Sequence, residues 1–407
     1  MENRTTSFRK FWARSEADAP DAPRTARSKP ILASKRGSVL VIVMVTLLFA
    51  VFALLAFMEK ASVDLLVDQR EALTRRLRME AYSALETTLG VLEDFREAGG
   101  GLRSPAEGWG DPLGFAGYEP SEGRTVEVTF EDESGKISLP RANVQVLINL
   151  FKNWDVPQNE AEALADALLG WMKRDHVYAS AVVPTYDQGA IPFEAPGRSL
   201  RSFHELAAIE KVREFFYDSD GRPNDYWRRF ADSVSLLQFQ RPNLNGAKPD
   251  TLAAVGQFDP TQRQNLGEYL TGAGAYLNRG QGFFRSPNEA QQIAGPTGDT
   301  GAFSTTISAL RIFITVRDGR TEFRMAAVIA PPNGATTVQT TATSTRTETS
   351  SKSAQTAAQQ RNQPKATQAA PNPNITKKQA GGNLRYPYTL LEIRENDEIP
   401  LRPVVTG

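Results

Sequence analysis

Lys35-Arg36-Gly37-Ser38 runs without a spacer into VLVIVMVTLLFAVFALLAF, residues 39–57. These 19 residues are apolar apart from Thr46. As a helix they span roughly 28 Å, close to the hydrocarbon thickness of a bilayer. Residues 1–37 carry nine Lys or Arg against four Asp or Glu. That bias holds the N-terminus in the cytoplasm and sends the chain that follows across the membrane. A Sec signal peptide would be shorter in its apolar part and would end in an Ala-x-Ala-like cut site, which is not seen here. Two readings remain. One is a plain single-pass anchor; the other takes the basic-basic-Gly-small entry as a junction trimmed after Gly37, leaving Ser38 first.

The helix does not stop where the apolar run stops. No breaker other than Gly90 occurs between Ser38 and Ala98. From Val63 onward apolar residues recur at helical spacing: Leu66, Val67, Leu73, Leu77, Ala81, Leu85, Leu89 and Leu92. Charges (Arg70, Glu71, Arg75, Arg76, Arg78, Glu80, Glu86) are expected on the other face. Gly99-Gly100-Gly101 ends the run. The sequence therefore predicts one helix over 38–98, roughly 90 Å long, with its membrane part at 39–58, apolar all round at first and one-faced later.

Beyond it the period alternates. Val126, Val128 and Phe130 alternate with polar residues, a half-buried strand, and Asp132-Glu133-Ser134-Gly135-Lys136 reads as a turn. From 139 to 300 the pattern is helical, with starts marked by Ser202/Glu205, Asp259/Gln262 and Ser286/Glu289. Leu310 to Val316 alternates again, Asp318-Gly319 signals a hairpin, and Arg320 to Ile329 returns. Residues 331–384 are rich in Thr, Ser, Ala, Gln, Pro and Asn with no aromatic residue, and are expected to be a disordered linker. A last strand is read at 386–394, within a C-terminal piece, 385–407. A lone strand after such a linker makes sense only if it joins the earlier sheet. The expected fold is α+β: a long N-terminal helix on an antiparallel sheet, with 99–138 as the first part of the head, a helical domain (139–300) inserted between strands, and a hairpin at 301–330.

Composition removes several function classes. The chain has 407 residues, with 47 Lys or Arg against 47 Asp or Glu, so no basic nucleic-acid footprint is present. Cysteine is absent and there are only two histidines, His176 and His204, in different segments. Disulfides, thiol catalysis and Cys/His metal sites fall away with them. A helix-hairpin-helix nucleic-acid unit over 243–270 would need more nearby cations than Lys248 and Arg263. Trp109, Trp154, Trp171 and Trp227 read as packing residues.

Five pieces, in order, resemble one family. They are Lys-Arg-Gly-Ser before Val39; Glu131-Asp132-Glu133-Ser134-Gly135-Lys136-Ile137-Ser138-Leu139, with Ser138 where the family usually has Asn; the helix Ala165-Asp166 through Asp175; Arg198-Ser199-Leu200-Arg201-Ser202-Phe203-His204-Glu205-Leu206; and Asn243-Leu244-Asn245-Gly246-Ala247 before Leu252. Together they are similar to the K-type minor pseudopilin family of type II secretion systems, general secretion pathway protein K. The resemblance covers about 35–330 and the last strand. It implies a pilin-like fold, cleavage after Gly37 by a prepilin peptidase, N-methylation of Ser38, and a single pass through the inner membrane with the head in the periplasm. Implied partners are the I- and J-type minor pseudopilins and the major pseudopilin, in a complex that caps and starts the pseudopilus and so supports export of folded proteins; no nucleic acid and no catalytic residue are implied. The fifth residue from Ser38 is Ile42, where most pilins carry Glu, and this departure suits a subunit with no neighbour ahead of it. A type IV pilus minor pilin is the nearest alternative, without the motifs of the insert. In the resembled family the helical domain can bind calcium as a cofactor, for which Asp218, Asp220, Asn224 and Asp225 are the candidate ligands; without the spacing and terminal Glu of an EF-hand, this Gly- and Pro-containing loop reads rather as a solvated polar turn. The 37-residue leader and the linker depart from the family pattern.

Overall fold

The computed structural model describes residues 36–121, 123–180, 186, 193–337 and 387–398. Residues 1–35 of the expected leader, most of the linker and residues 399–407 lie outside the described residues. Residues 1–70 and 71–407 form two units.

One unbroken helix, α1 (Arg36–Gly99, 64 residues), contributes to both. In the first unit it is long and apolar enough to cross a membrane, and its apolar side chains, Ile42 among them, are exposed. Val63, Leu66 and Val67 are exposed as well, so the one-faced stretch begins at Leu73, later than its period suggested. In the second unit Leu77, Ala81, Ala84, Leu85, Leu89 and Leu92 are buried. Their spacing of three to four residues keeps them on one face, and that face packs on Ile312, Ile314, Val316, Phe323, Met325, Ala327 and Ile329 of the sheet.

After α1 come the short helix α2 (Pro112–Ala116) and strand β1 (Arg124–Asp132). Strands β4 (Leu310–Asp318) and β5 (Thr321–Ala330) form the hairpin, and β6 (Thr389–Glu395) closes the sheet. The order is β1-β4-β5-β6, antiparallel throughout. The expected final strand therefore does join the sheet. Glu395 of β6 accepts from Arg78 Nε at 2.9 Å and Tyr82 Oη at 2.8 Å, both on α1.

Between β1 and β4 lies the helical insert: α3 (Val144–Lys152), α4 (Gln158–Met172), α5 (Glu210–Phe216), α6 (Asp225–Ser233), α7 (Pro249–Gly256), α8 (Pro260–Thr271) and α9 (Pro287–Ala294). Its first half closes on a ring cluster centred on Phe151, which meets Trp154, Phe215, Phe216 and Phe230. Its second half has its own core of Leu244, Leu252, Phe258, Leu266, Phe284 and Phe303. A two-residue parallel pair, β2 (Ile137–Ser138) with β3 (Val234–Ser235), ties the start of the insert to its middle.

Three expectations need correction. Glu80, read as part of the solvated face, is buried. It accepts from Tyr118 Oη at 2.6 Å, Ser121 Oγ at 2.5 Å and Arg124 Nη1 at 3.0 Å, so a carboxylate with several donors replaces an apolar residue at the edge of the core. Ser202 does cap a helix, but a 3-10 one, Phe203–Ala208. Residues 331–337, read as the start of the linker, are ordered. Asn333 takes φ 60 and turns the chain back, Ala335 is buried, and Thr336 exchanges both backbone hydrogen bonds with Gln238 at 2.9 and 3.0 Å. Composition averaged over fifty residues does not resolve a seven-residue fold-back.

Gly90 sits on the open face of α1, where an added Cβ meets nothing within 4 Å. Gly90→Ala should stabilise the chain by about 0.5–1 kcal/mol, seen as a higher urea midpoint of the detergent-solubilised protein. An unchanged or lower midpoint would show that this face of α1 is covered.

Candidate functional site

Two of the segments that resemble the family's motifs, residues 131–139 and 243–247, meet where the insert joins the sheet. At the end of β1 the Asp132 carboxylate accepts from Ser134 N at 2.9 Å and Ser134 Oγ at 2.6 Å. Its other oxygen accepts from Asn243 Nδ2 at 2.6 Å. The Asn243 amide also donates to the Arg103 carbonyl at 3.0 Å, and its backbone N–H to the Ser134 carbonyl at 2.8 Å. Ser308, just before β4, donates its N–H to Ser134 Oγ at 2.9 Å. One carboxylate and one amide thus fasten β1, β4, the segment after α1 and the second half of the insert. Close approach requires two glycines: a Cβ on Gly135 would collide with the Gly246 carbonyl, and one on Gly246 with the Asp132 carboxylate.

Next to this joint lies a buried ionic cluster. Lys136 Nζ is 3.0 Å from Glu133 Oε2 and 3.1 Å from Glu131 Oε1. Glu133 also faces Arg311 at 3.4 Å and accepts from Ser235 Oγ at 3.0 Å. Burial alone would raise the Glu133 carboxyl, but Lys136 and Arg311 outweigh it and hold it below the ordinary range. Asp132 has no cation beside it among these contacts. Burial pushes it up to about 6, against the bonds from Ser134 and Asn243.

Two further buried carboxylates organise the insert, and sequence reading did not single them out. Asp166 on α4 accepts from Ala179 N at 2.9 Å and Ser180 N at 2.6 Å, with His176 Nε2 at 2.8 Å. It pins the loop that follows α4, and His176 is its partner there. Burial would raise Asp166; the Ser180 backbone, His176 and the Ala179 backbone together hold it low. Asp250 on α7 accepts from Asn153 Nδ2 at 2.7 Å, Trp154 Nε1 at 3.1 Å and Arg229 Nε at 2.6 Å, joining the two halves of the insert. The available signal for Asp166 was an acid inside the otherwise apolar run Ala165 to Met172. Trp109, Trp154 and Trp171 are buried and Trp227 is half-buried, as packing residues should be.

The candidate calcium ligands do not make a cage. Asp218 Oδ1 accepts from Asp220 N at 3.0 Å and Arg222 N at 2.8 Å, closing its own turn. Asn224 caps α6 through Trp227 N at 3.1 Å. Asp225 is paired with Arg228 at 2.5 Å. Among the described residues no group of three or more acidic or histidine side chains is placed to hold a metal ion. Calcium needs six to eight oxygens, and these residues, with a guanidinium among them, do not fit it. In the segment considered for nucleic-acid binding, the turn after α7 is closed by Asp299 N on the Gly256 carbonyl at 2.9 Å. Gly37 and Ser38 lie in the first turn of α1.

The raised Asp132 gives a signed pH dependence. Its folded value lies above the ordinary 3.8, so the folded chain binds more protons than the unfolded chain between about pH 4 and 6. The stability from this group is full below that window and is lost as pH rises through about 6. Glu80, Glu133 and Asp166, all held low, act oppositely and only as pH falls below their ordinary values. Urea midpoints should therefore rise from neutral pH toward about 5, and Asp132→Asn should flatten that rise. An identical slope in the variant would remove Asp132 as its source.

Residues 131–219 match the family model described as type II secretion system (T2SS), protein K. No curated protein matches the chain. Among solved structures it is similar to a chain in the crystal structure of the GspK-GspI-GspJ complex from the enterotoxigenic Escherichia coli type 2 secretion system. That match has 15% identity and a TM-score of 0.45, and covers 67% of this chain and 97% of that one. The family match opens on the Glu131–Leu139 turn at the joint and includes the Asp166 helix, and through this segment the chain is similar to the type II secretion system protein K family.

Proposed function

We propose that this chain is a minor pseudopilin that sits at the tip of a periplasmic pseudopilus, where it helps to start the fibre. The observation that carries the reading is Ile42, an apolar residue at the fifth position after Gly37 on an exposed apolar helix. A carboxylate held in lipid costs several kcal/mol unless it finds a partner. In pilin-type fibres that partner is the N-terminal amine of the subunit ahead. A subunit with nothing ahead gains nothing from the acid, and an aliphatic side chain leaves no buried charge.

The rest of the proposal follows from the family. The chain would be trimmed after Gly37, held in the inner membrane by residues 39–58 with its head in the periplasm, and joined by the I- and J-type minor pseudopilins above the major pseudopilin. The insert, α3 to α9, adds bulk that a mid-fibre subunit would have to accommodate against a neighbour above it. Its task is mechanical: α1 leaves lipid and packs among other helices, while the head forms the end of the fibre.

Mass spectrometry of the protein extracted from membranes tests the processing step. A mature chain beginning at Ser38, lost in Gly37→Ala, is expected; an intact leader in secreting cells would refute it. Co-purification with the I- and J-type subunits tests the position. A head that joins the major pseudopilin alone would place the chain along the fibre instead.

A further inference from the structure

On the border between the insert and the sheet a groove of about 370 Å³ is lined by Arg141, Arg241, Gln238, Gln240 and Asn333, with Ser and Thr hydroxyls between them and no carboxylate. Its walls are cross-braced through the backbone. Gln238 and Thr336 exchange two hydrogen bonds, Ala335 N donates to the Ser308 carbonyl at 2.7 Å, and Ser304 N donates to the Pro242 carbonyl at 2.7 Å. Phe239, at 4% exposure, anchors the floor among Ala309, Ala330 and Ala335. The frame is therefore braced while its longer polar side chains are largely unengaged; of the hydroxyls, that of Ser304 is taken up by Thr306. Among the described residues Arg141, Gln238, Gln240 and Asn333 make no side-chain hydrogen bond or ion pair, and Arg241 meets only the Gly301 carbonyl, at 3.1 Å. Other arginines of the head, such as Arg124, Arg311 and Arg317, do meet carboxylates.

We infer that this groove is a docking site for an extended, carboxylate-bearing peptide segment of another protein. The guanidinium groups supply planar forks that match carboxylates. The three carboxamides each offer a donor and an acceptor, the pairing that a peptide backbone presents. A pre-braced groove loses little freedom when it is filled. The occupant comes from another chain on charge grounds: residues 338–386, which follow the groove's last strand of backbone, carry seven Lys or Arg against Glu348 as the single acid. The inference does not depend on the tip position and goes beyond it.

The test uses the full chain in detergent and a fluorescein-labelled peptide of alternating Gly and Glu, read by anisotropy at low salt. Saturable binding is expected, weakened about tenfold or more in the Arg141→Glu/Arg241→Glu double variant. Gln240→Ala, which leaves the charge unchanged, should weaken it several-fold, and Arg320→Glu, on the hairpin turn, should not. The double variant's urea midpoint should match the parent's, since both arginines are exposed. Absence of binding, equal affinity of the double variant, or an equal loss with Arg320→Glu would overturn the assignment. So would displacement by inorganic phosphate at the peptide's own concentration, which would reduce the groove to a small-anion site.

Discussion

A single helix has to satisfy two solvents, and the rest of the chain follows from that constraint. In lipid the backbone must bond to itself, and an unbroken α-helix does so without help. Its side chains there are apolar all round because no face is sheltered from hydrocarbon. Further along, the same ladder of hydrogen bonds continues, but water is now the alternative environment and the helix needs a cover on one side only. From Leu77 to Leu92 the buried residues fall on one face, and the antiparallel sheet is what they face. The switch in side-chain pattern, with no break in the backbone, separates this helix from an ordinary anchor joined by a linker to a soluble domain.

The insert then has to be planted on the sheet without weakening it. The chain uses buried polar groups for this, where apolar packing would give more stability for the same volume. The joint between Asp132, Ser134 and Asn243 has directional bonds, and two glycines let the backbones meet. Such contacts fix one orientation, whereas an oily patch would tolerate several. Asp166 and Asp250 repeat the device inside the insert. Asp250 gathers donors from α6 and from the end of α3 around one carboxylate, and Asp166 holds the loop at 176–180 against α4, so a domain with much irregular backbone gains definite fixed points.

Periodic features of the sequence were legible and long-range polar ones were not. The apolar run, its continuation at helical spacing and the alternating hairpin each carry a repeating signal that points to one structure. The final strand could be assigned to the sheet because an isolated strand has no other way to satisfy its backbone. Asp132 and Asn243 are separated by 111 positions, and no local pattern links them; only the family resemblance marked both as notable. Glu80 broke the helical pattern, since its partners Tyr118, Ser121 and Arg124 lie some forty residues downstream. The calcium candidates failed for the opposite reason. Asp, Asn and Gly at short spacing are the residues of turns and helix caps as much as of cation sites, and here the turn and the cap use their oxygens.

The absence of cysteine makes the central claim, that the membrane half of α1 leaves lipid for a helical bundle, open to a direct measurement. Leu48→Cys can be oxidised against single cysteines in the N-terminal helices of the proposed partner subunits, in cells that are secreting and in cells whose assembly motor is inactive. The account predicts a disulfide-linked pair that requires the active motor. A helix that remains lipid-bound and uncrosslinked at every partner position while secretion proceeds would contradict it.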